Sequence, residues 1–361
     1  MMRRAILVLC LALIAGNAWA IDGLSPTITS PADIVSRRTT LINQAWGTPT
    51  LPTTLPTVTT GIANPFPGYN VARVDQYVAS MSNGQTNTSN FYWASNPTNN
   101  RVVILNPGHA NTCDWTSIFA GYQIQPTLQG LLGAGYNVFA MNMPACGNSI
   151  THNALFTSYG NTAMSYFFEP AVQAMNYWDA NYTFRDYNMT GLSGGGWTTT
   201  ILPALDTRVK ISIPVAGSWP DFYFNSAITC GCLGGDDEQF WTNWFTVAGY
   251  IDFYIMSSYG PNRRQFQILN YSDSCCFGNS LYVSAGGPTI FGVDFSTYYR
   301  NYRTSVEQLE TVTMTFRYDG TIDYIANQHQ ISSNARSMIL SILASTGSGG
   351  SGGGRRLFHM W

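Results

Sequence analysis

Hydrophobic residues fall along this chain in two alternating rhythms. From residue 101 onward, short strand-like segments, the first of them an unbroken apolar run, take turns with stretches in which apolar residues recur every three to four positions. Val102-Val-Ile-Leu105 ends in Asn106-Pro-Gly-His109, and Gly135-Tyr-Asn-Val-Phe-Ala-Met141 ends in Asn142-Met-Pro-Ala-Cys-Gly-Asn-Ser149. The short run Tyr187-Asn-Met-Thr190 follows, then Val209 to Val215, Gln265 to Leu269 and Thr311 to Phe316. An apolar run without alternation is what a strand buried on both faces requires. Between these runs the helical period predicts helices over 118–132, 163–177, 198–205 (despite Pro203), 305–309 and 332–343. Strands alternating with helices imply right-handed crossovers, hence an α/β protein with a mostly parallel central sheet and helices on both faces.

The flanks follow other patterns. Residues 21–60 are rich in Thr, Pro and Ser; Pro and Thr resist helix, and the segment reads as an extended lead-in draped on the surface or as a linker. Val71 to Tyr77 and Asn90 to Trp93, separated by the turn signal Ser82-Asn-Gly84, predict antiparallel edge strands. Residues 219–262 are dense in aromatics and form an excursion before the strand at 265; a lid or pocket wall and ordinary core packing are equally good accounts of them. Residues 346–354 are a Gly/Ser tract with a short tail to Trp361, so 61–343 is the expected folded domain, followed by a flexible 344–361.

Composition narrows the function. The 361 residues are 45% hydrophobic and 10% charged with a net charge of -2, enough apolar content for a large core. Lys210 is the only lysine, and no basic run interrupts the body of the chain, which argues against a nucleic-acid partner. Met1 to Arg4, the apolar run Ala5 to Ala15 and Ala18-Trp-Ala20 have the three regions of a signal peptide cleaved after Ala20, predicting a secreted or periplasmic protein. No stretch is long and apolar enough to predict a membrane span. Removal of Cys10 would leave Cys113, Cys146, Cys230, Cys232, Cys275 and Cys276, an even set that predicts disulfides. Cys230-Gly-Cys232 and Cys275-Cys276 lack the two-residue ligand gap of cysteine metal sites. The glycosylation sequons at Asn87, Asn181, Asn188 and Asn270 read as chance in an Asn/Thr-rich chain, and Arg263-Arg264 as charges at a helix end.

The chemistry centres on Gly191-Leu-Ser-Gly-Gly195, a serine between small residues after a strand and before a helix. A strained turn of this kind exposes a hydroxyl at the sheet edge, making Ser193 the candidate nucleophile. A serine needs a base, usually histidine, steadied by a carboxylate. The four histidines are His109, His152, His329 and His359. The parallel-sheet order of nucleophile, acid and histidine removes His109 and His152, and His359 lies beyond the Gly/Ser tract, which leaves His329. Asp273, in the loop after the strand at 265–269, is the favoured acid; Asp221 is the runner-up, and Asp294, Asp319 and Asp323 are outsiders. Asp236-Asp237-Glu238 reads as a solvated loop, because no second acidic cluster faces it. The Gly194 amide is the first expected oxyanion donor, and the amide of His109 or Ala110 the second.

Taken together, the runs at 102–109 and 135–149, the Gly191 to Gly195 motif, the Asp273 loop and His329 resemble the successive landmarks of the α/β-hydrolase superfamily, over residues from about 100 to 343. The chain departs from it in the order Gly108-His109, where His-Gly is frequent, and in Asn142, where aspartate is common. The resemblance implies a serine hydrolase with the triad Ser193, Asp273 and His329. It also places Cys113 and Cys146 in neighbouring loops, where they pair, and joins Cys230 or Cys232 to Cys275 or Cys276. The expected protein is an exported serine esterase acting on a small-molecule or polymer ester, with neither metal nor organic cofactor. A serine peptidase of the same fold and a non-catalytic binding module of that fold are the rivals.

Overall fold

A computed structural model describes residues 27–98, 100–110, 112–147, 149–218, 237–239, 241–270, 273, 318–323 and 329–345. Helix α1 (Pro31–Trp46) precedes three strands, β1 (Thr57–Thr59), β2 (Val71–Ser80) and β3 (Thr86–Ala94). Strand β4 (Val102–Asn106) leads through α2 (Trp115–Ala120) and α3 (Ile124–Gly133) to β5 (Asn137–Ala140). Helices α4 (Ser149–Tyr159) and α5 (Ser165–Asn181) cross to β6 (Tyr187–Leu192), followed by α6 (Gly194–Leu205) and β7 (Val209–Val215). The described chain continues with α7 (Thr242–Phe245), α8 (Tyr250–Ser258), β8 (Arg264–Asn270), β9 (Tyr318–Asp323) and α9 (Ser333–Ser345).

Among the described residues all nine strands join one sheet in the order β1-β2-β3-β5-β4-β6-β7-β8-β9. The first strands pair antiparallel up to the β3–β5 contact, and β5, β4, β6, β7, β8 and β9 run parallel. The apolar run of β4 predicted this: every residue of β4 is buried, and so is every residue of β6, Asn188 and Thr190 included, as strands covered by helices on both faces demand. Topology then locates the site. The chain leaves β4 for β5 on one side and returns across it to β6 on the other, and a crevice opens beyond the carboxyl ends of strands at such a reversal.

The extended reading of residues 21–60 is corrected by α1, sixteen residues long. Thr and Pro content misled because it was averaged over the segment. Locally, Ser30-Pro-Ala-Asp33 is a capping box with proline at the tolerated first position, and Gly47 ends the helix in the left-handed conformation. Ile34, Leu41, Ile42 and Ala45 make a buried stripe at helical spacing. Asp252 fastens the segment: its carboxylate accepts from the Thr27 and Ile28 amides and the Thr27 hydroxyl, and pairs with Arg37 at 3.1 Å. Asp252→Ala would strand these donors, and is expected to lower unfolding free energy by about 3 kcal/mol in a urea titration. A change below about 0.5 kcal/mol would mean the segment is not held by this carboxylate.

Other expectations are refined. The helix predicted over 118–132 is two, broken where Tyr122 and Gln123 adopt positive φ of 52° and 62°. The described part of the aromatic excursion is core packing: Trp244, Tyr250, Phe253 and Tyr254 are buried, in α7 and α8. Residues 219–236, which a lid would need, lie outside the described residues, as do 305–309 and 311–316. Arg263 does serve helix ends: it donates to the carbonyls of Met256, Tyr259 and Pro203, and burial with Arg38 nearby pushes its guanidinium down to about 9. Asn87, Asn188 and Asn270 are buried, which leaves no room for a glycan at those sequons.

Candidate active site

Ser193 links β6 to α6 with φ of 58° and ψ of -127°, a conformation that side chains with a Cβ adopt only under constraint. The constraint comes from the neighbours. Its amide donates to the Val215 carbonyl at 3.1 Å, and its carbonyl accepts from the Trp197 amide at 2.8 Å. The flanking glycines are required by close approach: a Cβ on Gly195 would lie 2.2 Å from the Asn106 carbonyl oxygen, and one on Gly191 2.5 Å from the Gly195 oxygen. The turn therefore presses against the end of β4, and Ser193, half-buried, stands at the crevice. Gly194 opens α6, so its amide has no carbonyl partner within the helix and faces the position where negative charge is favoured.

The loop after β4 runs beside this turn. Gly108, with φ of 86°, passes so close that a Cβ there would lie 3.3 Å from the Ser193 Cβ. The His109 ring lies on Gly194, where a Cβ would meet its Cε1 at 2.5 Å. The loop predicted to supply the second oxyanion donor, His109 and Ala110, is thus adjacent to Ser193.

Asp273 and His329 meet just past the carboxyl end of β8. His329 Nδ1 is 2.8 Å from Asp273 Oδ2, with the carboxylate fully buried and the imidazole 8% exposed. A carboxylate only accepts, so Nδ1 carries the proton and Nε2 keeps its lone pair. The Asn270 amide nitrogen donates to the same Asp273 oxygen at 3.2 Å and to the Gln330 carbonyl at 3.1 Å, tying acid and histidine loops to the end of β8. Tyr122, from the break between α2 and α3, backs the imidazole edge-on at 5.8 Å, and its carbonyl accepts from the Ile331 amide. Of the other acids, Asp319 and Asp323 belong to β9, and Asp221 and Asp294 lie outside the described residues.

A disulfide joins Cys113 to Cys146, Cα atoms 5.1 Å apart, between the loops that follow β4 and β5. It is the pairing the resemblance implied; the second pairing falls outside the described residues.

Glu238 overturns its reading as part of a solvated loop. It is fully buried, with Oε1 3.4 Å from both His109 Nε2 and His152 Nδ1. Sequence gave no signal for this grouping, because its members come from three separate segments.

No protein-family model matches the chain, and no curated protein matches it in sequence. Solved structures do match in shape. An acetyl xylan esterase from Paenibacillus sp. R4 has a TM-score of 0.56 at 12% identity, over 90% of this chain and 98% of that one. Another, from Thermoanaerobacterium sp. JW/SL YS485, has 0.54 at 12%, over 91% and 98%. Methylesterase BT1017 has 0.53 at 13%, over 87% of this chain, which spans 62% of that longer one. This is an α/β-hydrolase fold. At such identities the likeness is one of fold. In this chain Ser193 lies in the turn after β6, His109 in the loop after β4 and Asp273 three residues past β8. Among the described residues no helix is long and apolar enough to cross a membrane.

Proposed function

We propose that this chain is an exported serine hydrolase of carboxylic esters. One observation carries the reading: Ser193 is held at φ 58° and ψ -127° between a buried strand and a helix N-terminus, the strained strand-to-helix turn on which a nucleophilic serine sits. The contact of His329 with Asp273 supports it by leaving Nε2 available as a base.

Ser193 Oγ adds to the ester carbonyl carbon while its proton passes to His329 Nε2. The carbonyl π pair moves onto oxygen, held by the Gly194 amide and by the amide of His109 or Ala110; each such donor is worth roughly 2.7–4 kcal/mol in the transition state. Asp273 steadies the imidazolium. Collapse breaks the bond to the alcohol oxygen, which takes the proton from His329 and leaves acyl-Ser193. Water then attacks with the same base, releasing the carboxylic acid and restoring the hydroxyl. Esters on polysaccharides, the substrates named for the acetyl xylan esterases of this fold, head the substrate panel, with lipids and polyesters after them. The signal-like residues 1–20 and the Cys113–Cys146 bridge support export.

Labelling with a fluorophosphonate probe tests the serine mechanism. The wild-type chain should label at Ser193 and turn over p-nitrophenyl acetate but not peptide anilides. An unlabelled wild type would point to a binding module, and peptide turnover to a peptidase.

A further inference from the structure

We propose that His109, His152 and Glu238 bind a divalent transition-metal cation, zinc by ligand chemistry, beside Gly194. Three observations carry this independently of the esterase reading.

The first is the geometry of the three donor atoms. His109 Nε2 and His152 Nδ1 are 3.3 Å apart, and each is 3.4 Å from Glu238 Oε1. They mark a near-equilateral triangle. A tetrahedral zinc with bonds of about 2.05 Å has ligand-to-ligand edges of about 3.3 Å, so one ion reaches all three atoms at normal bond lengths. The separations are poor for the alternative, direct ion pairing, in which charge-assisted N–H···O bonds shorten to about 2.7–2.9 Å.

The second is the tautomer of His152. Its Nε2 lies 2.8 Å from the Pro144 carbonyl oxygen, which can only accept, so that nitrogen carries the proton and Nδ1 presents a lone pair to the triangle. A backbone carbonyl fixing the second nitrogen of a ligating histidine is the usual outer support of a zinc site. Proton-free, Nδ1 has nothing to donate to the Glu238 oxygen beside it, and the single N–H that His109 Nε2 can bring is shared between two acceptors, a lone-pair surplus that a cation relieves.

The third is Glu238 itself. Among the described residues neither of its oxygens has a hydrogen-bond partner, and it is 0% exposed. A buried carboxylate without hydrogen bonds costs several kcal/mol unless a positive charge compensates it.

Two histidines and a glutamate, with the fourth position left for water, form a common zinc ligand set. The frame around the site is stiff. His109 precedes Cys113 in one loop and Pro144 precedes Cys146 in the other, and the disulfide joins those loops. Phe167 covers the His152 ring edge-on at 5.2 Å. Because the His109 ring also lies against Gly194, the ion would act as a positioning element, pinning the loop after β4 against the turn that bears Ser193.

Metal binding by the full-length protein tests this. After chelator treatment and removal of chelator, cobalt(II) should bind at one equivalent and give the intense visible bands of a four-coordinate ion, and zinc should displace it. Zinc should also raise the melting temperature of the wild type and of Ser193→Ala alike, which separates the site from the catalytic proposal. Glu238→Gln and His152→Ala should each weaken binding by more than about 100-fold, beyond the loss seen when only an outer partner is removed. His109→Gln gives a third variant from a different loop should either of those fail to fold. No stoichiometric cobalt in the wild type, a weak octahedral spectrum, or full affinity in folded ligand variants would overturn the proposal and leave an imidazolium–carboxylate cluster in its place.

Discussion

Ser193→Ala is expected to lower kcat for p-nitrophenyl acetate by about 10⁶-fold and to abolish fluorophosphonate labelling, while the melting temperature shifts by no more than about 2 °C. The chemical effect is large because the acyl-enzyme route needs an oxygen to attack and no described neighbour can replace it. The stability effect is small because alanine inherits both the backbone bonds of residue 193, to Val215 and from Trp197, and the same positive φ. What remains would be the modest acceleration from binding and oxyanion donors alone. Activity within tenfold of wild type would show that hydrolysis occurs elsewhere or by another nucleophile.

Much of this arrangement was legible in the sequence, for a physical reason. A strand buried on both faces need not alternate, so β4 announces itself as an unbroken apolar run, whereas β6, with Asn188 and Thr190 buried in it, is marked by the glycine-serine motif at its end. The motif glycines were legible because their need is local: Gly191 and Gly195 touch each other and the end of β4. His329 followed by elimination, and its meeting with Asp273 is a long-range consequence of β8 and the turn before α9 sharing one sheet end. Legibility failed where context overrides composition. Helix α1 is fixed by a four-residue capping box inside a Thr/Pro-rich stretch. The break at Tyr122 needs two residues in left-handed conformations that helical periodicity cannot signal. Glu238 sits in a run of acids that looks solvated, and only tertiary packing against two imidazoles from other segments makes it buried.

The acid is where the sequence left the most alternatives, and Asp273→Asn decides among them. The substitution keeps volume and removes a buried charge, so folding free energy is expected to hold to within about 1 kcal/mol. Catalysis should not hold. Asp273 Oδ2 now accepts from His329 Nδ1 at 2.8 Å and from the Asn270 amide at 3.2 Å. An asparagine must present one oxygen and one NH₂ to the same surroundings. With its NH₂ toward His329, Nδ1 becomes the acceptor and the proton moves to Nε2, the atom that has to act as base. With its oxygen toward His329 the tautomer survives, but the imidazolium formed during attack loses its counter-charge. Either way kcat is expected to fall by about 10⁴-fold, with KM little changed, because the lost interaction belongs to the transition state. Asp323→Asn, on β9 opposite Asn270 in the register, should stay within about threefold of wild type. If instead Asp273→Asn keeps activity within tenfold while a different aspartate substitution silences the enzyme, the role of acid passes to that residue, and the Asp273 contact becomes an anchor for the histidine loop.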